Sequence, residues 1–134
     1  MNFAQFSDRA EEILAAVPAE FLGGVTGVHA HRAAKEDPEI PDYFVMGECG
    51  DDEVAALTDP EALRSRIHLY HGSFRAIARE EPEFDWDGEL VETILHELRH
   101  HIEDRAGILD LRLEDAWDEA EARIRAGLPK RPAR

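Results

Sequence analysis

A long amphipathic segment runs from Asp87 to about Ala106. At about 100° per residue, its apolar side chains fall within one arc of a helix. The residues of that arc are Leu90, Val91, Ile94, Leu95, Leu98 and Ile102. The spacing predicts a long helix with one core-facing side, with Asp87 as its N-cap and Gly107 just past its end.

The segment "HELRH", His96 to His100, places its two histidines on the face of this helix opposite the apolar arc. Histidines at positions i and i+4 lie one turn apart, so their imidazoles can bind one Zn²⁺ at about 2.0–2.1 Å. Glu97 projects to one side of the pair, where it can reach a water molecule activated by the metal and take its proton. The alternative is a solvated polar face with weak charge pairs. The clean separation of the two faces and the apolar lead-in "LVETIL" favour the metal site.

Helical spacing also predicts a first helix from Phe3 to Val17, which ends at Pro18, and a last helix over residues 113–125. Alternating side chains predict strands at residues 23–33 and 66–74, and β-branched and aromatic residues predict a strand at 43–50. The strict alternation of the segment at 66–74 indicates a half-exposed strand, as at a sheet edge.

Residues 35–42 and 80–88 read as loops because of their prolines and charges. The order of elements predicts an α+β fold in a single domain over residues 1–126, followed by a flexible basic tail at 127–134.

The composition of the chain bears on its partners, its cysteine chemistry and its location. The formal net charge is -15, from 30 acidic and 15 basic residues. Such a field repels phosphate backbones and attracts cations and basic peptides, so nucleic acids and anionic membranes are not expected partners. The single cysteine, Cys49, excludes an internal disulfide and a Cys-based zinc site. The chain has no apolar run of about 20 residues, and its N-terminus lacks signal-peptide features, so a cytoplasmic protein is expected.

Three segments together carry a family resemblance. "HELRHH" follows "RIHLYHGSFRA" at residues 66–76, and "MGECG" precedes both at residues 46–50. In this combination the chain resembles the small zincin-like metallopeptidases, the minimal, matrix-metalloprotease-like zincins with HExxHH, over about residues 25–110. The resemblance implies a small mixed sheet packed on a long HExxH active-site helix, flanked by N- and C-terminal helices. It also implies a zinc-dependent peptidase that acts on peptide or protein substrates, with His96 and His100 as ligands and Glu97 as general base.

The third metal ligand is where this chain departs from that pattern. Short zincins often continue as HExxHxxGxxD, but here Glu103 lies three residues after His100 and a "GILD" ending at Asp110 comes one turn late. Glu103 lies on the histidines' stripe, about 4.5 Å further along the axis, and helical side chains lean toward the N-terminus. We therefore favour Glu103 as the third ligand, then Asp110, then Asp104, which lies off the stripe.

The other histidines are expected to have structural roles. His101 falls on the apolar arc and is expected to pack or to support the site. Surface or cross-strand positions are expected for the four histidines on predicted strands, which are His29, His31, His68 and His71. Tyr70 or His71 could donate to an oxyanion. Trp86 and Trp117 read as core or rim anchors, and Cys49 as a buried, inert thiol.

A second function of a different class remains open. A chain of 134 residues has little room for a subdomain that walls a deep cleft, and catalysis requires water exclusion. A catalytically weak or inactive metal-binding regulatory module is therefore the alternative to a peptidase.

Overall fold

The computed structural model describes residues 1–51, 65–105 and 111–130. The predicted α+β class is confirmed, because helices surround a small mixed sheet. In chain order, the described elements are α1 Phe3–Ala15, a 3₁₀ turn Ala19–Phe21, β1 Val25–His31, β2 Lys35–Glu36, β3 Phe44–Val45, β4 Gly47–Asp51, β5 Ser65–Tyr70, α2 His71–Glu80, α3 Trp86–Arg105 and α4 Leu111–Gly127.

The main sheet has the order β1-β5-β4, with β5 parallel to β1 and antiparallel to β4. The prediction that the "RIHLY" strand lies at an edge is therefore wrong, since β5 is central. Its alternation arises because Ile67 and Leu69 are fully buried on one face while His68 and Tyr70 are only half buried on the other. Alternation reports which face of a strand is buried and carries no information about its lateral position.

The same strand also ends earlier than predicted. His71–Glu80 forms helix α2, where residues 71–74 were expected to extend the strand and residues 75–79 had no assigned element. The turn into α2 brings two backbones very close at Gly72, where an added Cβ would lie 2.3 Å from the backbone nitrogen of Ala34. Glycine is therefore required here by space.

The predicted strand at 43–50 is divided in two. Met46 separates β3, which pairs with β2 in a two-stranded antiparallel sheet, from β4 in the main sheet. Lys35 and Glu36, which were assigned to a loop, form β2. The rest of that loop carries Asp42 at φ 61°.

Helix α3 begins one residue before the predicted N-cap. The carboxylate of Asp85 accepts a hydrogen bond from the Gly88 N–H at 2.9 Å. Asp87 was predicted to cap the helix, and instead it accepts two bonds from the buried Arg9, at 2.7 and 3.1 Å. Arg9 also donates to the Pro129 carbonyl at 2.7 Å, so one guanidinium joins α1, α3 and the segment after α4.

The core lies between α1, α3 and the inner face of the main sheet. All six residues of the predicted apolar arc of α3 are buried, and Trp117 on α4 is 1% exposed. His101 is buried and lies 2.8 Å from the Gly23 carbonyl, which confirms its predicted packing role. None of the helices in residues 1–51, 65–105 and 111–130 has the length and apolar character that a membrane span requires.

Candidate functional site

His96 and His100 lie on the exposed side of α3, opposite its buried arc. Their Nε2 atoms are 2.9 Å apart, and the two rings meet edge to face at 86°. Two nitrogen ligands at about 2.1 Å from one tetrahedral ion are separated by roughly 3.4 Å. The pair therefore needs to open by only a few tenths of an ångström to bind one zinc ion, and imidazole nitrogens are ligands that suit that metal.

Glu97 lies beside this pair and is half buried between α3 and β4. Its Oε2 accepts a hydrogen bond from the Cys49 backbone N–H at 3.1 Å. Burial raises the pKa of the Glu97 carboxyl above its ordinary value, while the imidazoles of His100 and His96 and the Cys49 N–H oppose that shift. A carboxylate with a raised pKa is a stronger proton acceptor, which is the property a general base needs.

Glu103, the predicted third metal ligand, lies beside the ring of His100. One oxygen of Glu103 lies 3.8 Å from Nδ1 of His100, whereas Nε2 of the same ring faces His96. That distance is too long for a hydrogen bond, and Nδ1 is the ring nitrogen of His100 that does not face His96. Within residues 1–51, 65–105 and 111–130, no three His, Cys, Asp or Glu side chains are arranged to hold a metal ion. Asp110 lies outside the described residues, so the choice among Glu103, Asp110 and Asp104 stays a prediction.

A groove of about 610 Å³ runs from His96 and Glu97 toward the end of α2. Its walls carry apolar side chains from β3, α2 and the loop before α3, among them Phe44, Val45, Met46, Ile77 and Phe84. Its charged lining is acidic, with Asp42, Glu81, Glu89, Glu92 and Glu97. The groove is the space in which a substrate would lie beside the candidate base.

Three of the strand histidines form a cluster on the outer face of the sheet. His29 stacks on His31 at 4.3 Å, and His31 Nε2 lies 2.9 Å from His68 Nδ1. His71 differs from the prediction, because it is buried at the start of α2 and lies 3.0 Å from the Met1 carbonyl. The Tyr70 hydroxyl donates to Glu48 at 2.6 Å. Neither Tyr70 nor His71 lines the groove.

Two features of the site were missed at the level of sequence. The first is the Cys49 N–H that holds Glu97; Cys49 itself is half exposed rather than buried. The second is the acidic groove. Part of it was visible, because Glu89 and Glu92 precede His96 by seven and four residues and so share its helical stripe. Asp42 and Glu81 reach the groove only through the fold.

Comparisons with known proteins agree with this architecture. No curated protein matches the chain at a significant level. A solved structure of a conserved hypothetical protein from Thermus thermophilus is similar, with a TM-score of 0.64 and 36% sequence identity over 79% of this chain and 98% of that one. The family model described as zincin-like metallopeptidase matches residues 38–119, which is more than half of the 134 residues. The chain therefore belongs to the zincin-like metallopeptidase family.

Proposed function

We propose that this protein is a cytoplasmic, zinc-dependent metallopeptidase that hydrolyses peptide bonds. The observation that carries the proposal is the convergence of the His96 and His100 Nε2 atoms, 2.9 Å apart, beside the half-buried carboxylate of Glu97. When bound, zinc would supply Lewis-acid activation of water and of the scissile carbonyl.

Residues of the chain itself would bind the metal and transfer the proton. His96 and His100 hold the metal through Nε2, and Glu103 is the first candidate to complete the set. Glu97 takes a proton at its carboxylate and later returns it to the leaving amine. The Cys49 N–H fixes one oxygen of Glu97, so the other oxygen is directed by the strand as well as by the helix.

The deciding experiment measures zinc content and peptide turnover in the same preparations. Wild-type protein should bind about one zinc and cleave unstructured peptides, and chelation should stop cleavage. His96→Ala and His100→Ala should lose the metal. Glu97→Gln should keep the metal and lose turnover, because an amide cannot accept the proton. Stoichiometric zinc in the double histidine variant would refute the assignment.

A second function is favoured by one observation, the exposure of the histidine pair. His100 keeps 52% of its side chain accessible, so the site opens toward solvent, and catalysis requires water exclusion. A metal-binding regulatory module fits this exposure. A regulatory module should bind one zinc and cleave no peptide in any pool, whereas a peptidase should bind one zinc and cleave peptides.

A further inference from the structure

We propose that the groove beside His96 and Glu97 selects peptide substrates with a lysine or arginine side chain next to the bond that is cut. The inference rests on the proposed peptidase function and names its substrate class.

The size and walls of the groove suit a long aliphatic stem. Its volume of about 610 Å³ is within the range of small ligand sites. Ile77, Phe84 and Met46 supply apolar surface from three separate segments of the chain. Lysine and arginine bury their methylene stems along such surface while the charged end seeks a polar partner. Tyr43, at the rim, is 56% exposed and offers a further flat surface for a bound chain.

The charges of the groove are of one sign. Five carboxylate residues line it, whereas no lysine or arginine in the described part of the chain does so. Like charges that share a confined site repel one another, and the repulsion is relieved when a cation enters. A neutral side chain would leave this repulsion in place, and an acidic side chain would add to it.

Glu89 is the carboxylate best placed to select the cation. Glu92 already accepts a bond from Arg125 at 2.6 Å, so its charge is partly matched. Glu89 and Glu81 have no side-chain cation partner among the described residues. Glu89 is also half buried, and its pKa is raised first by burial and then by Glu81, Asp85 and Glu92. An incoming ammonium or guanidinium group would offset the repulsion from the neighbouring carboxylates and favour the ionised form of Glu89.

The test separates binding from turnover. Metal-free full-length protein is titrated with peptides that are identical except for one central lysine, norleucine or glutamate, and Kd is measured at low and at moderate salt. The lysine peptide should bind at least about tenfold more tightly than the norleucine peptide, as expected for a charge-assisted hydrogen bond in a partly buried site. The glutamate peptide should bind most weakly.

Variants assign the effect to the groove. Glu89→Gln should reduce the lysine preference to about twofold or less, and Glu81→Gln should reduce it by a smaller factor. Glu11→Gln is the matched control, since it removes one exposed charge of the same sign on α1, outside the groove. Urea midpoints of all three variants verify folding, and Glu81→Gln keeps the test valid if Glu89→Gln is unstable.

The outcomes distinguish this inference from the proposed function. Equal Kd values for the lysine and norleucine peptides, or an equal loss in Glu11→Gln and Glu89→Gln, would overturn the groove assignment even in an active peptidase. A lysine preference that depends on Glu89, together with absent turnover in the zinc-loaded protein, would support the groove and refute only the peptidase.

Discussion

The contact between β4 and α3 at Gly47 yields a quantitative prediction. A Cβ added at Gly47 would lie 2.7 Å from Cγ2 of Thr93, 3.1 Å from the His68 carbonyl oxygen and 3.2 Å from Cδ2 of Leu69. Thr93 cannot rotate freely out of the way, since its hydroxyl donates to the Glu89 carbonyl at 2.7 Å. Gly47→Ala must therefore either shift the backbone or break that bond, and overpacking of this kind costs about 1–3 kcal/mol.

A second substitution isolates the cause. Thr93→Ser removes Cγ2 but keeps the hydroxyl, and alone it should lower the free energy of unfolding by about 0.5–1.5 kcal/mol, through the lost methyl group. In the double variant the clash at 2.7 Å disappears, while the contacts with His68 and Leu69 remain. The double variant should therefore be more stable than the sum of the two single effects predicts, by about 1 kcal/mol.

Urea denaturation followed by circular dichroism gives the free energy of unfolding of the wild type, of Gly47→Ala, of Thr93→Ser and of the double variant. The measurement is made on metal-free protein, so that zinc binding does not contribute to the free energy of unfolding. Strict additivity, or a Gly47→Ala variant within about 0.3 kcal/mol of the wild type, would show that β4 and α3 do not approach as closely as the structure has them.

Three further predictions can be tested with the same preparations. Gly72→Ala should destabilise the protein by about 3 kcal/mol or more, since its Cβ would meet the Ala33–Ala34 backbone within 3 Å. Gly23→Ala is the control, because an added Cβ there has open space around it and should change stability little. Similar urea midpoints for the two variants would refute the close approach at Gly72. Burial and then the His29 charge lower the folded-state pKa of His68 below 6.5, and burial lowers that of His31 in the same way. The unfolded chain therefore binds more protons than the folded chain, so the contribution of His31 and His68 to stability is complete above about pH 6.5 and declines as the pH falls below it. The decline should be shallower in the double variant of His31→Gln and His68→Gln. An unchanged dependence of stability on pH would contradict the lowered pKa values of the two histidines. Glu103→Gln should weaken zinc binding measured by competition with a chelator, and if it retains full affinity while Asp110→Asn loses it, Asp110 is the third ligand.

The parts of this fold that follow from local spacing could be predicted from the sequence. The apolar arc of α3, from Leu90 to Ile102, and the position of His96 and His100 opposite that arc depend only on helical geometry. The same holds for the packed role of His101, which falls on the arc. These are properties of one helix, and no other part of the chain is needed to read them.

The parts that depend on contacts between distant segments could not be predicted. Phe74 and Ile77 are spaced for a helix, but the alternation of "RIHLY" continues through His71, and the competing pattern concealed the start of α2. Asp87 has good N-cap chemistry, but Arg9, 78 residues away in sequence, recruits its carboxylate. Alternation likewise could not show that β5 has a partner on each side.

The "MGECG" and "HELRH" segments are parts of a single interface, although they are about 50 residues apart. Gly47 has no side chain, so Thr93 on α3 can lie directly against β4. Two residues further along the same strand, the Cys49 N–H reaches the carboxylate of Glu97, which lies one turn after Thr93. A residue with a side chain at position 47 would hold the two elements apart and draw the N–H away from the carboxylate. The position of the candidate base is therefore set by a glycine on the neighbouring strand as well as by the helix that carries the histidines.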